Sequence, residues 1–146
     1  NTQLGQWPAL DTDSTGLTVA PGFPYHFSHR HFSHLMAIFP LGLLDVSHGE
    51  KEQAIIQKSL CTLEKYGSDW WTGYSFAWLG NLYTRARDGE KAARALRIFA
   101  TAFCLPNSFH VNGDQSGKGY SKFTYRPFTL EGNFAFASGI QQMLIQ

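Results

Sequence analysis

The chain has few of the residues that usually announce a chemistry. Its 146 residues hold two cysteines and two methionines. Cys61 and Cys104 are far apart and form no C-x-x-C pair, which excludes a disulfide-dense scaffold and a thiolate zinc site. Both stand among apolar neighbours in helix-like segments and are expected to be small buried thiols. There is no glycine-rich phosphate loop, no G-x-S-x-G elbow and no H-E-x-x-H pair, so the common signatures of nucleotide binding, serine hydrolysis and zinc proteolysis are missing. Charge of one sign is missing too: 12 Lys and Arg face 11 Asp and Glu, a net charge of +1. That balance leaves no electrostatic footprint for nucleic acid or an anionic membrane. The longest apolar run, Leu35 to Leu44, is interrupted by Pro40 and Gly42 and falls short of the ~20 residues that span a bilayer. The expectation is one soluble, globular domain over residues 1–146.

What the chain does have is apolar and aromatic material, 43% and 15% of its residues. Residues 1–28 are rich in loop signals, with Pro8, Gly16, Pro21, Gly22 and Pro24, and a turn at Asp11–Ser14. Ser33 is placed to cap a short helix that Pro40 ends. A helix is predicted over Gly49–Tyr66, with Ala54, Ile55, Cys61 and Leu63 as its apolar face, Glu50 and Glu52 at its favourable end and Gly67 as its stop. Two more helices follow, Thr72–Arg87 and Glu90–Phe103, joined by a turn at Asp88-Gly89 short enough to make an antiparallel pair.

Pro106 to Gly132 then forms a long irregular loop, with a short strand expected at Lys122–Arg126 and Asn133 as cap of a final helix. A loop of about 25 residues in a compact domain is commonly functional or disordered. Its six aromatic or histidine side chains argue against disorder. The chain begins at Asn1 without a methionine and ends within an apolar helical pattern at Gln146. From this we expect a fragment of a larger protein, inactive by itself, whose uncovered helix faces promote self-association visible by light scattering.

Three features carry possible chemistry. The first is His29-Arg30-His31-Phe32-Ser33-His34, preceded by His26. Histidines two apart point to opposite sides of an extended segment, so a metal site there requires a turn. Buried imidazoles bonded to backbone at a helix start are an equally good reading. A third is a polar wall for sugar hydroxyls, in which Arg30 and Ser33 take part. The second feature is Trp70-Trp71, with Trp78 two turns on. Indoles at a helix start can be ordinary core, yet a flat indole also suits the apolar C–H face of a sugar ring. The third is Glu131, just before Gly132-Asn133. Free N–H groups and the helix dipole favour a carboxylate there, which fits a base or base-activator better than a general acid. A simple N-terminal cap is the plainer alternative.

In order along the chain, His29–Leu35 with Pro40, Gly73–Trp78, Asp88–Glu90, Leu105–Asn107 and Glu131–Phe134 resemble glycoside hydrolase family 95, with its blocks H-R-H-x-S-H-L, G-W-S-x-A-W, D-G-x-x-A, L-x-x-N and D-G-N-F-G. The resemblance implies a mainly α fold of stacked antiparallel helical hairpins, the last several helices of an (α/α)6 toroid. It implies an inverting hydrolase for α-linked L-fucose or L-galactose, without metal or cofactor, secreted or periplasmic, whose partner is a carbohydrate. It places His29, His31, His34 and Asn133 in family blocks, and with Trp70 and Trp71, read from their indole faces, these are the expected substrate-pocket residues. Glu131 falls where the family has an aspartate that polarises water-holding asparagines, which lie earlier in the family's domain. The family's general acid, in a Leu-Gln-Glu-Trp block, aligns with Gln6 of Leu4-Gly5-Gln6-Trp7.

Two departures follow. Glutamate for aspartate lengthens the arm at 131 by ~1.5 Å, and Gln6 cannot donate a catalytic proton. Gln6 therefore keeps a non-catalytic carbohydrate-binding relative in play, and the histidine block separately leaves a metalloprotein as a further alternative.

Overall fold

A computed structural model describes residues 9–145; Gln6 and its neighbours lie outside them. Four helices dominate: α1 (Glu50–Tyr66), α2 (Gly73–Arg85), α3 (Gly89–Ala102) and α4 (Leu130–Leu144). The strands β1 (Thr12–Asp13) and β2 (Gly16–Leu17) make a small antiparallel hairpin; its turn is Ser14-Thr15, later than the expected Asp11–Ser14, because Thr12 and Asp13 pair as strand. Among the described residues no helix is long and apolar enough to cross a membrane.

Helix α2 is the axis of the structure, with Gly73 and every residue from Ser75 to Thr84 buried. Such all-round burial requires neighbours on several sides. A Cβ on Gly73 would meet Phe103, and one on Gly80 would meet Leu96 and Ala92, so α3 runs antiparallel to α2. A Cβ on Gly139 would also meet Leu96, while His110 lies against both Gly73 and Gly132. Helices α2 and α4 thus run in the same direction, with α3 reversed across both. Glycine costs about 1 kcal/mol against alanine inside a helix; Gly80 and Gly139 offset this by letting the Leu96 side chain lie between two helix backbones. Buried Asn81 joins α2 to α4 directly: its amide donates to the carbonyls of Ala77 and Ala135, both at 2.9 Å, and accepts from Ser138 Oγ at 3.1 Å.

Local chemistry explains the helix ends. Gly67, at φ 67°, stops α1 and donates to the carbonyls of Leu63 and Glu64. Asp88 caps α3 by accepting from the Lys91 N–H at 3.0 Å.

Several expectations are corrected. The buried face of α1 is Ile56, Ser59, Leu60 and Leu63. Ala54 and Cys61 are exposed and Cys104 is half-buried, because the stripe is rotated by one residue so that Ser59 Oγ accepts from the Leu17 N–H at 2.9 Å. The segment before Pro40 is a 3₁₀ turn, Ser33–Ala37, whose N-cap is Phe32 with no side-chain cap. Helix α4 begins three residues before Asn133, at Leu130, with Thr129 at the N-cap. Residues 122–126 are extended but form no strand. Their alternate carbonyls accept from Gly113 and Asp114, a pairing too short to propagate.

Candidate active site

The histidine block is held by its backbone across the head of α2. The Tyr25 hydroxyl accepts from the His29 N–H at 2.8 Å and lies 3.1 Å from the His29 carbonyl. Ser28 Oγ accepts from the Trp70 N–H at 3.0 Å, and Ser75 Oγ donates to the Arg30 carbonyl at 2.8 Å. Phe32 is fully buried, 4.9 Å from the Trp71 ring and 5.4 Å from that of Trp78. With the backbone bonded at His29 and Arg30 and the Phe32 ring buried beside them, each side chain of the block has a fixed side.

His29 and His31 stay together, ring centroids 5.4 Å apart. Arg30 Nε donates to His31 Nε2 at 3.1 Å, and partial burial, the Arg30 charge and His29 hold His31 below the ordinary imidazole pKa. His34 turns the other way, stacking on Tyr25 at 5.4 Å with its Nδ1 buried and unpartnered. Among the described residues no group of three His, Cys, Asp or Glu side chains is arranged to hold a metal, so the metal reading of the block finds no ligand set there.

Burial lowers the His34 pKa to about 4. The folded state resists a proton that the unfolded chain accepts near pH 6.5, so His34 contributes stability above that pH which is lost as pH falls toward 4. The melting temperature is expected to fall across this window, and His34→Phe to flatten the fall. An unchanged slope in that variant would remove His34 as a source of acid sensitivity.

Glu131 lies in the first turn of α4, exposed, and no side chain caps this helix. Glu131 borders a cavity of about 400 Å³ shared with Met36, Phe39, Tyr74, Trp78 and Phe134. Burial, with the nearby Glu131 charge as a second cause, raises the Tyr74 pKa, so the phenol stays a hydrogen-bond donor at neutral pH. The Trp78 indole donates to the Phe39 carbonyl at 3.0 Å, which fixes its ring. His29 and His31 line a second cavity, about 360 Å³, with Phe23, Tyr25 and Phe27. Residues 33–39 separate the two: Ser33 borders one, Met36 and Phe39 the other.

The other expected pocket residues have different places. Trp71 is a core residue, 3% exposed, packed on Phe32 and Phe76. Trp70 is half-exposed, edge-on to Phe123 with the Lys122 ammonium 5.5 Å over its ring. Asn133 binds the long loop, accepting from the His110 N–H at 3.0 Å and donating to the Ser108 carbonyl at 2.9 Å. Sequence reasoning missed Tyr74, which stands in the family block where a tryptophan is usual, and His110. The available signal for His110 was glycine in the first turn of both α2 and α4, which marks close approach.

The described residues thus form helices packed through glycine, with an exposed carboxylate at the head of α4 beside an aromatic cavity. Residues 24–144 match the glycosyl hydrolase family 95 catalytic domain. The chain is 31% identical over 119 residues to Alpha-L-fucosidase 2 of Arabidopsis thaliana, an overlap covering 81% of this chain and 13% of that protein. The chain belongs to glycosyl hydrolase family 95.

Proposed function

We propose that the protein containing this chain hydrolyses α-linked L-fucose or L-galactose with inversion. The observation that carries this reading is the Glu131 carboxylate on the rim of a cavity walled by Tyr74 and Trp78. An aromatic wall takes the apolar face of a sugar ring, and a carboxylate across from the leaving group serves the water side. The similarity to a protein named Alpha-L-fucosidase 2 supports the choice of sugar. His29, Arg30 and His31 supply donors and acceptors for ring hydroxyls or for the next sugar.

Inversion needs two groups about 6.5–9.5 Å apart, so that water fits between base and anomeric carbon while the acid protonates the leaving oxygen. In this reading Glu131 belongs to the base side, where it orients and polarises the groups that hold water. Gln6 cannot serve as the acid, so the proton comes from another part of the protein.

The full-length protein is expected to release sugar from aryl α-L-fucosides or α-L-galactosides, with the β-anomer appearing first by proton NMR. Early α-anomer would overturn inversion. Calorimetric binding of an oligosaccharide without any release would support the non-catalytic sugar-binding relative.

A further inference from the structure

We propose that His110, in the long loop, is a positioning residue that sets the place of Glu131 by locking the first turn of α4 to the head of α2. The proposal rests on the reading of Glu131 as the base-side carboxylate. His110 is fully buried, and its ring stacks on Phe99 of α3 at 5.1 Å. Its Nδ1 lies 2.8 Å from both the carbonyl and the hydroxyl of Thr129, the N-cap residue of α4. The hydroxyl donates onward to Asn112 Oδ1 at 3.0 Å. Nδ1–H is thus the donor and the carbonyl the acceptor. The Asn112 carbonyl accepts from the Gly73 N–H at 3.2 Å, and the His110 N–H donates to Asn133 of α4. His110 therefore ties the cap before Glu131 to a side chain after it and packs on Gly73, the residue that opens α2, while Asn112 supplies the hydrogen bond to that residue.

The fit leaves no slack. A Cβ on Gly73 would stand 2.3 Å from Nε2, and one on Gly132 would stand 2.3 Å from Nδ1. Both helices carry glycine where the imidazole meets them, and Gly132 is the neighbour of Glu131. Nε2 is buried and unpartnered, and burial keeps the pKa of the ring low, so the imidazole is neutral and Nδ1–H is its only proton. A neutral ring with one directed donor suits the holding of a carbonyl. Displacing a helix head by ~1 Å is enough to cost about 10²-fold in rate when a water-orienting group is carried on it.

The test compares His110→Leu, His110→Asn, Glu131→Gln and the His110→Leu/Glu131→Gln double variant of the full-length enzyme, with melting temperatures alongside. His110→Leu is expected to lower kcat about 10²-fold with KM nearly unchanged. His110→Asn, whose amide nitrogen stands close to the Nδ1 position, is expected to restore most of the loss. The double variant is expected to be no slower than Glu131→Gln. Multiplying effects, an Asn variant as impaired as Leu, or unchanged kcat in His110→Leu would each overturn the proposal. If Glu131→Gln is itself fully active, the base-side reading fails instead, and the control identifies which has failed. Should His110→Leu not fold, Gly132→Ala, whose methyl would stand 2.3 Å from Nδ1 and push the helix head off the ring, is expected to lower kcat at least about tenfold, and undiminished kcat there overturns the proposal.

Discussion

Replacing Glu131 by glutamine in the full-length enzyme is expected to lower kcat by about 10²–10⁴-fold while KM changes little. Glutamine keeps the length and shape of the arm, and the exposed carboxylate caps no helix, so the fold loses almost nothing. What is lost is an anionic acceptor that can polarise a donor and, through it, the attacking water. Because that polarisation matters most when charge develops, the deficit belongs in kcat rather than in substrate binding. Glu131→Asp, which withdraws the carboxylate by ~1.5 Å, is expected to be impaired as well, because a shift of that size misplaces a water-orienting group. Turnover within twofold of wild type in the glutamine variant would remove Glu131 from the mechanism.

The second large effect is on stability. Phe32→Ala is expected to cost about 3–5 kcal/mol, since a fully buried aromatic leaves both its transfer energy and a cavity behind. The ring touches Trp71 and Trp78 and stands 6.4 Å from Tyr25. It therefore joins the histidine block to α2, and the cavity would open directly beneath His31 and Ser33. Phe32→Leu, closer in volume, is expected to cost less than about 1.5 kcal/mol. Urea unfolding of the full-length protein gives both values. A loss under 1 kcal/mol for Phe32→Ala would mean that the block is held from elsewhere. If the block also shapes the substrate cavity, KM rises in the alanine variant more than its reduced stability explains.

The helices were legible because their signals are local. Gly67 and Asp88 mark an end and a start, and the apolar spacing of Phe76, Leu79 and Leu82 survives even in a helix buried on all sides. The rotated stripe of α1 was not legible. Ser59 is buried there by a hydrogen bond to a strand 42 residues away, and no periodicity encodes such a partner. The candidate site divides in the same way. Glu131 announces itself by standing at a helix head beside a glycine and within a family block. His34 looked like its neighbours in sequence, yet the turn after Phe32 sends it against Tyr25 and leaves His29 and His31 on the other side. Tyr74 and Trp78 meet Glu131 only because α2 and α4 run in the same direction, a relation set by tertiary packing. His110 hid in a glycine- and serine-rich stretch where a fully buried side chain is unexpected.

Asn81 gives the α2–α4 contact a property that close packing alone does not supply. Two apolar helices can slide along each other by a turn, 5.4 Å, and still bury much the same area. Asn81 is matched at one setting only, where Ala135 and Ser138 come opposite it. Any other setting leaves a buried amide unmatched, at about 1–3 kcal/mol. Ala135 is one turn from Glu131, so this amide acts as a vernier on the depth of the carboxylate over its cavity. On the proposed reading of Glu131, the spacing between the water side and the sugar is thereby gauged by a residue that touches neither.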